Sequence, residues 1–496
     1  MFVPFGEWAP DSPALIGAAR TATNCIAEKD FYKPFPTFGA VTTALTTRCF
    51  GAISFTDRAG TTFTFAGDAT KLYSLSGITF SNVSQAGNYS TLTDGNWKFA
   101  RYGVYVFATN YINNVQYFNL GSSSLFADAP GTPPRAKHIF VINNFVVLAN
   151  LVDATFGTAS NSLRWCAIDD PASAASWTAS ATTQSDGQLL EDGDGGAIQG
   201  VVGSSTYAII VQERAIIRMQ YVGSPAVFSF EVVERLRGVS ISGSVAGIGK
   251  DVFYMGEDGF QYFNGFQSIS IGKNKASKYF WDNFDNNYKD RVCSAIDPFR
   301  SLYLLAFPVS GATNGNPNRI IAYNYVSGRF TLIETTVEYL FQALTQGMTL
   351  EDLDSISSSL DDLAFSLDSL TWTGGKMLPA AFNSDHKAGY FNGVDMTAVI
   401  ETTEFEGAKN RMTEIHQITP MIEGDSSTAV TVRMGSRNNR TDSVTYSSSL
   451  SDDTFGRVMT RANARYHQVE TTIASGFTKA TGIEIDDEHI KIGAYR

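Results

Sequence analysis

The sequence predicts an all-β protein whose body is a β-propeller, and three observations lead there. Aromatic residues make up 12% of the 496, glycine numbers 43, and charged residues reach only 17%, a composition suited to many short strands joined by tight turns. Residues 251–266, DVFYMGEDGFQYFNGF, read as two strands around a Gly256-Glu257-Asp258-Gly259 turn, with large apolar groups on both faces of each strand. Degenerate copies of the same pattern recur at 102–121, 138–150, 207–223 and 301–334. A hairpin that is apolar on both faces cannot bury itself, whereas a ring of stacked small sheets can. The expected count is six blades, with five and seven left open.

In chain order, residues 1–47 are broken by Pro4, Pro10, Pro13, Pro34 and Pro36 and carry anchoring aromatics from Trp8 to Phe38. They read as an extended arm lying over the body or over a neighbouring subunit, or as an ordinary lead-in. Residues 48–349 carry the propeller blades. Asn113-Asn114 and Asn143-Asn144 supply turns, because asparagine tolerates the positive φ of a two-residue hairpin loop. The acidic loop around Asp186, Glu191, Asp192 and Asp194 lacks the spacing of a calcium loop and reads as a solvated connection. Tyr279, Phe280 and Phe284 fall at helical spacing and predict a short helix at the propeller edge.

Residues 350–371 form a leucine- and aspartate-rich insertion. Leu350, Leu353, Ile356, Leu360, Leu363, Leu367 and Leu370 recur every three or four residues among Ser and Asp, so the strip is either a marginal helix or a loop docked through its leucines. Residues 372–395 return to strands and close the propeller, with the strands near 48–57 as candidates to complete the last blade. Residues 396–496 alternate apolar and polar with period two, the pattern of a β-sandwich-like C-terminal domain with one wet face per sheet. Arg433, Arg437, Arg440, Arg457, Arg461 and Arg465 lie there, fitting either an intersubunit seam or a solvated strand face. The candidate intersubunit contacts are therefore Trp8, Leu353, Leu360, Leu367, Arg433, Arg437, Arg461 and Arg465.

The net charge of −12 argues against a protein that grips phosphate backbones, and fits a wall past which DNA slides without sticking. Cys25, Cys49, Cys166 and Cys293 form no CxxC pair, and the five histidines form no HxH or HExxH. No GxSxG elbow or phosphate loop is present, so no catalytic, cofactor-binding or metal residue is assigned. The N-terminus has no basic segment before an apolar run, and no stretch approaches the ~20 apolar residues of a membrane span. A soluble protein made in a cytosol, without membrane binding of its own, is expected.

Four stretches together carry a family likeness: FGEWAPDSPAL (5–15), RLRGVSISGSVAGIGKDVFYMGEDGFQYFNG (235–265), the leucine-aspartate strip, and RANARYHQVETTIASGFTKATGIEID (461–486). The chain resembles the tail hub, or nozzle, proteins of short-tailed bacteriophages, the P22-like packaged DNA stabilization class. The resemblance covers nearly the whole chain through diffuse patterns, with no active-site residue to carry over. It implies a virion tail component, assembled in the bacterial host cytoplasm as a ring homo-oligomer, a hexamer. That ring would continue the DNA channel below portal and adaptor proteins, retain packaged DNA, pass double-stranded DNA at ejection, and seat spike, fibre or needle proteins. The alternative class is a receptor- or glycan-binding propeller of a tail tip or cell surface.

Overall fold

Strands that are apolar on both faces must stack, and in the computed structural model they do. It describes residues 1–12, 18–190, 194–203, 206–348, 353–354, 359, 363, 365–425 and 428–493. Six four-stranded antiparallel meanders follow one another at 51–82, 98–128, 135–189, 198–235, 246–270 and 293–333, each made from one continuous run of chain. A further composite sheet joins Tyr339–Leu344, Met377–Phe382 and Lys387–Asp395 to the N-terminal strand Pro36–Ala44. The innermost strands contact one another in sequence, and Tyr339–Leu344 returns to Gly51–Thr56, which closes the ring. Six is thus the number of blades read from consecutive strands, and the composite sheet is the clasp.

The hairpin at 251–266 forms the middle strands Asp251–Gly256 and Gly259–Phe263 of the fifth meander. Val252, Tyr254 and Phe263 pack against Ile209, Val211 and Ile216 of the preceding meander. Phe253, Met255 and Phe260 pack the other way, toward Tyr303, Leu305 and Phe330. Both apolar faces are covered by neighbouring blades. Near the axis the strands approach closely: a Cβ on Gly247 would meet Val202 at 2.5 Å, and one on Gly200 would meet Val245 at 2.8 Å. Asn143 takes the expected positive φ of 51° at its turn.

The closing strand corrects one expectation. Gly51–Thr56 is the innermost strand of the first meander, and the ring is completed by Pro36–Ala44. Prolines beside that strand made it look irregular, but an outermost strand needs ladder bonds on one side only and tolerates them. The described residues of 1–34 likewise pair with strands of their own chain. Phe2–Pro4 and Tyr32–Pro34 pair with Phe477–Glu484, and Ala22–Thr23 lies between Arg329–Ile333 and Ala398–Glu401.

The C-terminal region is a two-sheet sandwich. One sheet is ordered Val458–Ala464, Thr413–Gly424, Phe477–Glu484, Tyr32–Pro34, Cys25–Ala27. The other runs Ala398–Glu401, Tyr466–Ile473, Val430–Arg437, and through Ala22–Thr23 it is continuous with the sixth meander, making a ten-stranded sheet. Ile415, Ile418, Val458 and Ile483 from the first sheet meet Ile400, Val432, Val469 and Ile473 from the second. The helix expected around Phe280 is present as Ser277–Asn283, with Phe280 buried and stacked on Phe284 at 5.0 Å between ring centres.

Candidate functional site

The innermost strands surround an axis, and at one end they leave a cavity of about 420 Å³. Successive blades contribute to it: Lys98, then Lys137 and His138, then Gln199, with Cys293, Ser294 and Tyr339 further round. Asp94, Glu213, Arg214 and Glu257 come from turns and loops at its rim, and Lys289 and Asp290 from the short 3-10 helix Asn286–Arg291. Lys98 opens its strand directly after Trp97, which is buried and fixed by Nε1–H donating to the Asp68 carbonyl at 2.8 Å. That anchor sets where the lysine side chain emerges.

The electrostatics follow from burial. Desolvation, with a smaller contribution from Lys137, lowers the pKa of Lys98. His138 is pushed down to about 3 by burial and by the charges of Lys98 and Lys137, so its imidazole is neutral near pH 7. Its Nε2 lies 3.2 Å from the Ile198 carbonyl, which also accepts from Asn150 Nδ2 at 3.2 Å. At the rim, burial and then Asp94 raise the Asp290 carboxyl. Gln199 Nε2 donates to Glu213 Oε1 at 3.1 Å. Such a cavity has the size and polarity to take a small polar ligand.

The eight sequence-derived contact candidates are scattered over the fold. Trp8 is 1% exposed, donates from Nε1 to the Arg20 carbonyl at 3.0 Å and meets Tyr279 edge-to-face at 5.2 Å, so it anchors its own chain. Leu353 is buried with Phe365 and Trp372 against the composite sheet and the first meander. Leu360, with Leu350 and Ile356, lies outside the described residues, whereas Leu367 is half exposed. Arg437 is paired with Glu404 at 2.6 Å, both side chains largely buried. Arg433 pairs with Glu470 at 2.9 Å, and Arg465 reaches Glu406 and Asn410. These guanidinium groups pair with carboxylates of their own sandwich. Arg461 pairs with Glu414 at 2.8 Å but keeps 83% of its side chain exposed.

The axial lysines escaped sequence reasoning, since each is one charge among short strands and only ring closure brings them together. Asp186 and Asp194 of the acidic loop are described, while Glu191 and Asp192 lie outside the described residues. Among the described residues no group of three or more His, Cys, Asp or Glu stands where a metal ion would be held, and no helix is long and apolar enough to cross a membrane.

No protein-family model matches the chain, and no curated protein matches it. Among solved structures, it is similar to the extracellular domain of the putative one component system BT4673 from B. thetaiotaomicron, at 10% identity over 83% of this chain and 47% of that one, with a TM-score of 0.42. The computationally designed Ika8 protein aligns at 9% identity over 78% of this chain and 99% of its own, TM-score 0.38. YCF48 bound to D1 peptide aligns at 10% identity, covering 60% and 86% respectively, TM-score 0.35.

Proposed function

We propose that the chain is a structural, non-catalytic building block of a short phage tail. Copies form the nozzle ring that continues the DNA channel below portal and adaptor, retain packaged DNA until ejection, and seat spikes, fibres or a needle. One observation carries this reading. Three stretches that bear the resemblance, separated by hundreds of residues, converge in a single hydrophobic core: Phe5 and Trp8 from the first, Phe253, Met255 and Phe260 from the second, Val469, Phe477 and Ile483 from the third. A likeness spread along the chain thus belongs to one physical unit, the joint between propeller and sandwich.

Surface features support the same reading. The edge strand Val458–Ala464 presents Met459, 62% exposed, and Arg461 outward, with Phe455, 76% exposed, just before it. Exposed apolar groups beside a charged one on a sheet edge suit contact with another copy. The net charge of −12 suits a wall beside which DNA moves freely.

Electron microscopy of particles, together with light scattering of the purified chain, tests the proposal. A six-fold ring on the tail axis is expected. A chain that stays monomeric both alone and with tail components, or that sits away from the axial channel, overturns it. The second reading, a receptor- or glycan-binding propeller, draws on the axial cavity; a glycan site would stack sugars on aromatic faces, and Tyr339 is the one such ring among Phe, Tyr and Trp lining it.

A further inference from the structure

We propose that the inner end of the axial cavity is an oxyanion site built on Lys98 and Lys137, taking a small ligand that carries a phosphate or carboxylate group. The inference is independent of ring assembly. Two ammonium groups on adjacent innermost strands enter one cavity, and among the described residues neither has a hydrogen-bond or salt-bridge partner. The narrower recess beneath is lined by Lys98, His138, Gln199 and Ser242 among others, and contains no carboxylate.

His138 cannot serve as counter-ion: it is neutral and turned to a backbone carbonyl. A half-buried lysine without an anion is costly, and a second cation beside it raises the cost. Charge-assisted hydrogen bonds from two ammonium groups to one oxyanion offset both terms at once. Acids do line the mouth: Asp94, Glu213 and Glu257 sit on connecting turns and Asp290 on the short 3-10 helix Asn286–Arg291, from which it feels the charge of Lys137. Glu213 is in addition engaged by Gln199. The strands thus present two cations and no carboxylate, whereas the rim mixes the four carboxylates with Arg214 and Lys289 and is net anionic. A ligand with an oxyanion at one end and a cationic or hydrogen-bond-donating group at the other matches this order better than a bare anion. A volume of about 420 Å³ limits it to a small molecule.

Calorimetry and thermal unfolding of the full chain test this, using inorganic phosphate and succinate as separate probes against chloride at equal ionic strength. Saturable one-to-one binding of at least one probe, with a rise in Tm, is expected; which probe binds tells phosphate from carboxylate ligands. Lys98→Met removes the uncompensated charge, so it should raise Tm in chloride and abolish the further rise on adding the probe. Lys137→Met should weaken binding at least about tenfold, the value of one charge-assisted contact. Lys479→Met, at a lysine paired with Glu423 on the sandwich surface, should leave binding unchanged. If Lys98→Met does not fold, Lys98→Gln and Lys137→Met decide the matter. Absence of saturable binding by both probes, or binding that survives both lysine substitutions, overturns the site.

Discussion

Leu332 pairs in parallel with Thr23, and on its other side Thr23 pairs antiparallel with Val399. This single residue of the N-terminal segment carries a sheet out of the propeller and into the sandwich. Around the joint Asn24 contributes four bonds: its amide donates to the Leu332 carbonyl at 2.7 Å, its carbonyl accepts from the Phe35 amide at 3.1 Å, its Oδ1 accepts from the Glu334 amide at 2.9 Å, and its Nδ2 donates to the Thr397 carbonyl at 3.1 Å. Asn24→Ala should cost about 1–2 kcal/mol, since it removes both side-chain bonds and alanine adopts the left-handed φ of 58° less readily than asparagine. In limited proteolysis it should expose the segment after residue 395 before the propeller is cut. Cleavage that begins within the blades would contradict the stitching role.

Trp8 fills the same joint from within. Trp8→Ala should lower stability by about 3–5 kcal/mol through the cavity it leaves, read from the denaturant midpoint. Because the ring is wholly enclosed by its own chain, particle size by light scattering should match the wild type.

At the clasp of the propeller, the buried carboxylate of Glu338 accepts from the Cys49 amide at 3.2 Å and meets His386 Nδ1 at 2.8 Å. Glu338→Leu strands a buried amide and should cost about 1–3 kcal/mol. Glu338→Gln keeps an acceptor for Cys49 and should cost less. Equal Tm losses for the two would show that the bond to Cys49 contributes nothing.

Arg437 and Arg461 separate stability from assembly. Arg437→Ala leaves Glu404 buried without its cation, a loss of about 3–5 kcal/mol. Arg461→Ala removes a solvent-facing charge, so its unfolding midpoint should stay near the wild-type value while self-association weakens in sedimentation. Unaltered sedimentation would remove Arg461 from the contact surface.

Acid should destabilise the chain through His138. Its pKa is lowered from 6.5 to about 3, so the folded state excludes a proton that the unfolded state binds. The sign follows: the contribution is intact above about 6.5 and is lost as pH falls toward 3, at up to about 1.4 kcal/mol per pH unit. In His138→Gln the unfolding free energy should vary less with pH across this window, with Asn150 still donating to the Ile198 carbonyl. An undiminished slope would assign the acid sensitivity to other groups.

Much of the architecture is legible in local pattern. The two-sided apolar run at 251–263 demands cover on both faces, and stacked blades are what cover it. Period-two alternation in 413–417 and 430–434 marks sheets with one dry face, with Ile415, Val432 and Met434 buried between them; Ile418 joins them through the register shift between Ile415 and Gln417. The aromatic spacing before Phe284 marks the helix. These features are legible because burial periodicity is a property of a few neighbouring residues.

Pairing partners are not local. That Pro36–Ala44 lies beside Lys387–Asp395, that Thr23 stands between Leu332 and Val399, and that Arg437 meets Glu404 inside one chain were decided by the closed ring and the sandwich. The convergence of Lys98 and Lys137 on one axis has the same origin. Each strand carries its own apolar pattern, but which strand or charge it meets depends on the packing of several hundred residues at once. The sequence by itself determined a propeller with an appended sandwich; the tertiary structure decided what clasps them, and which charges remain free to act.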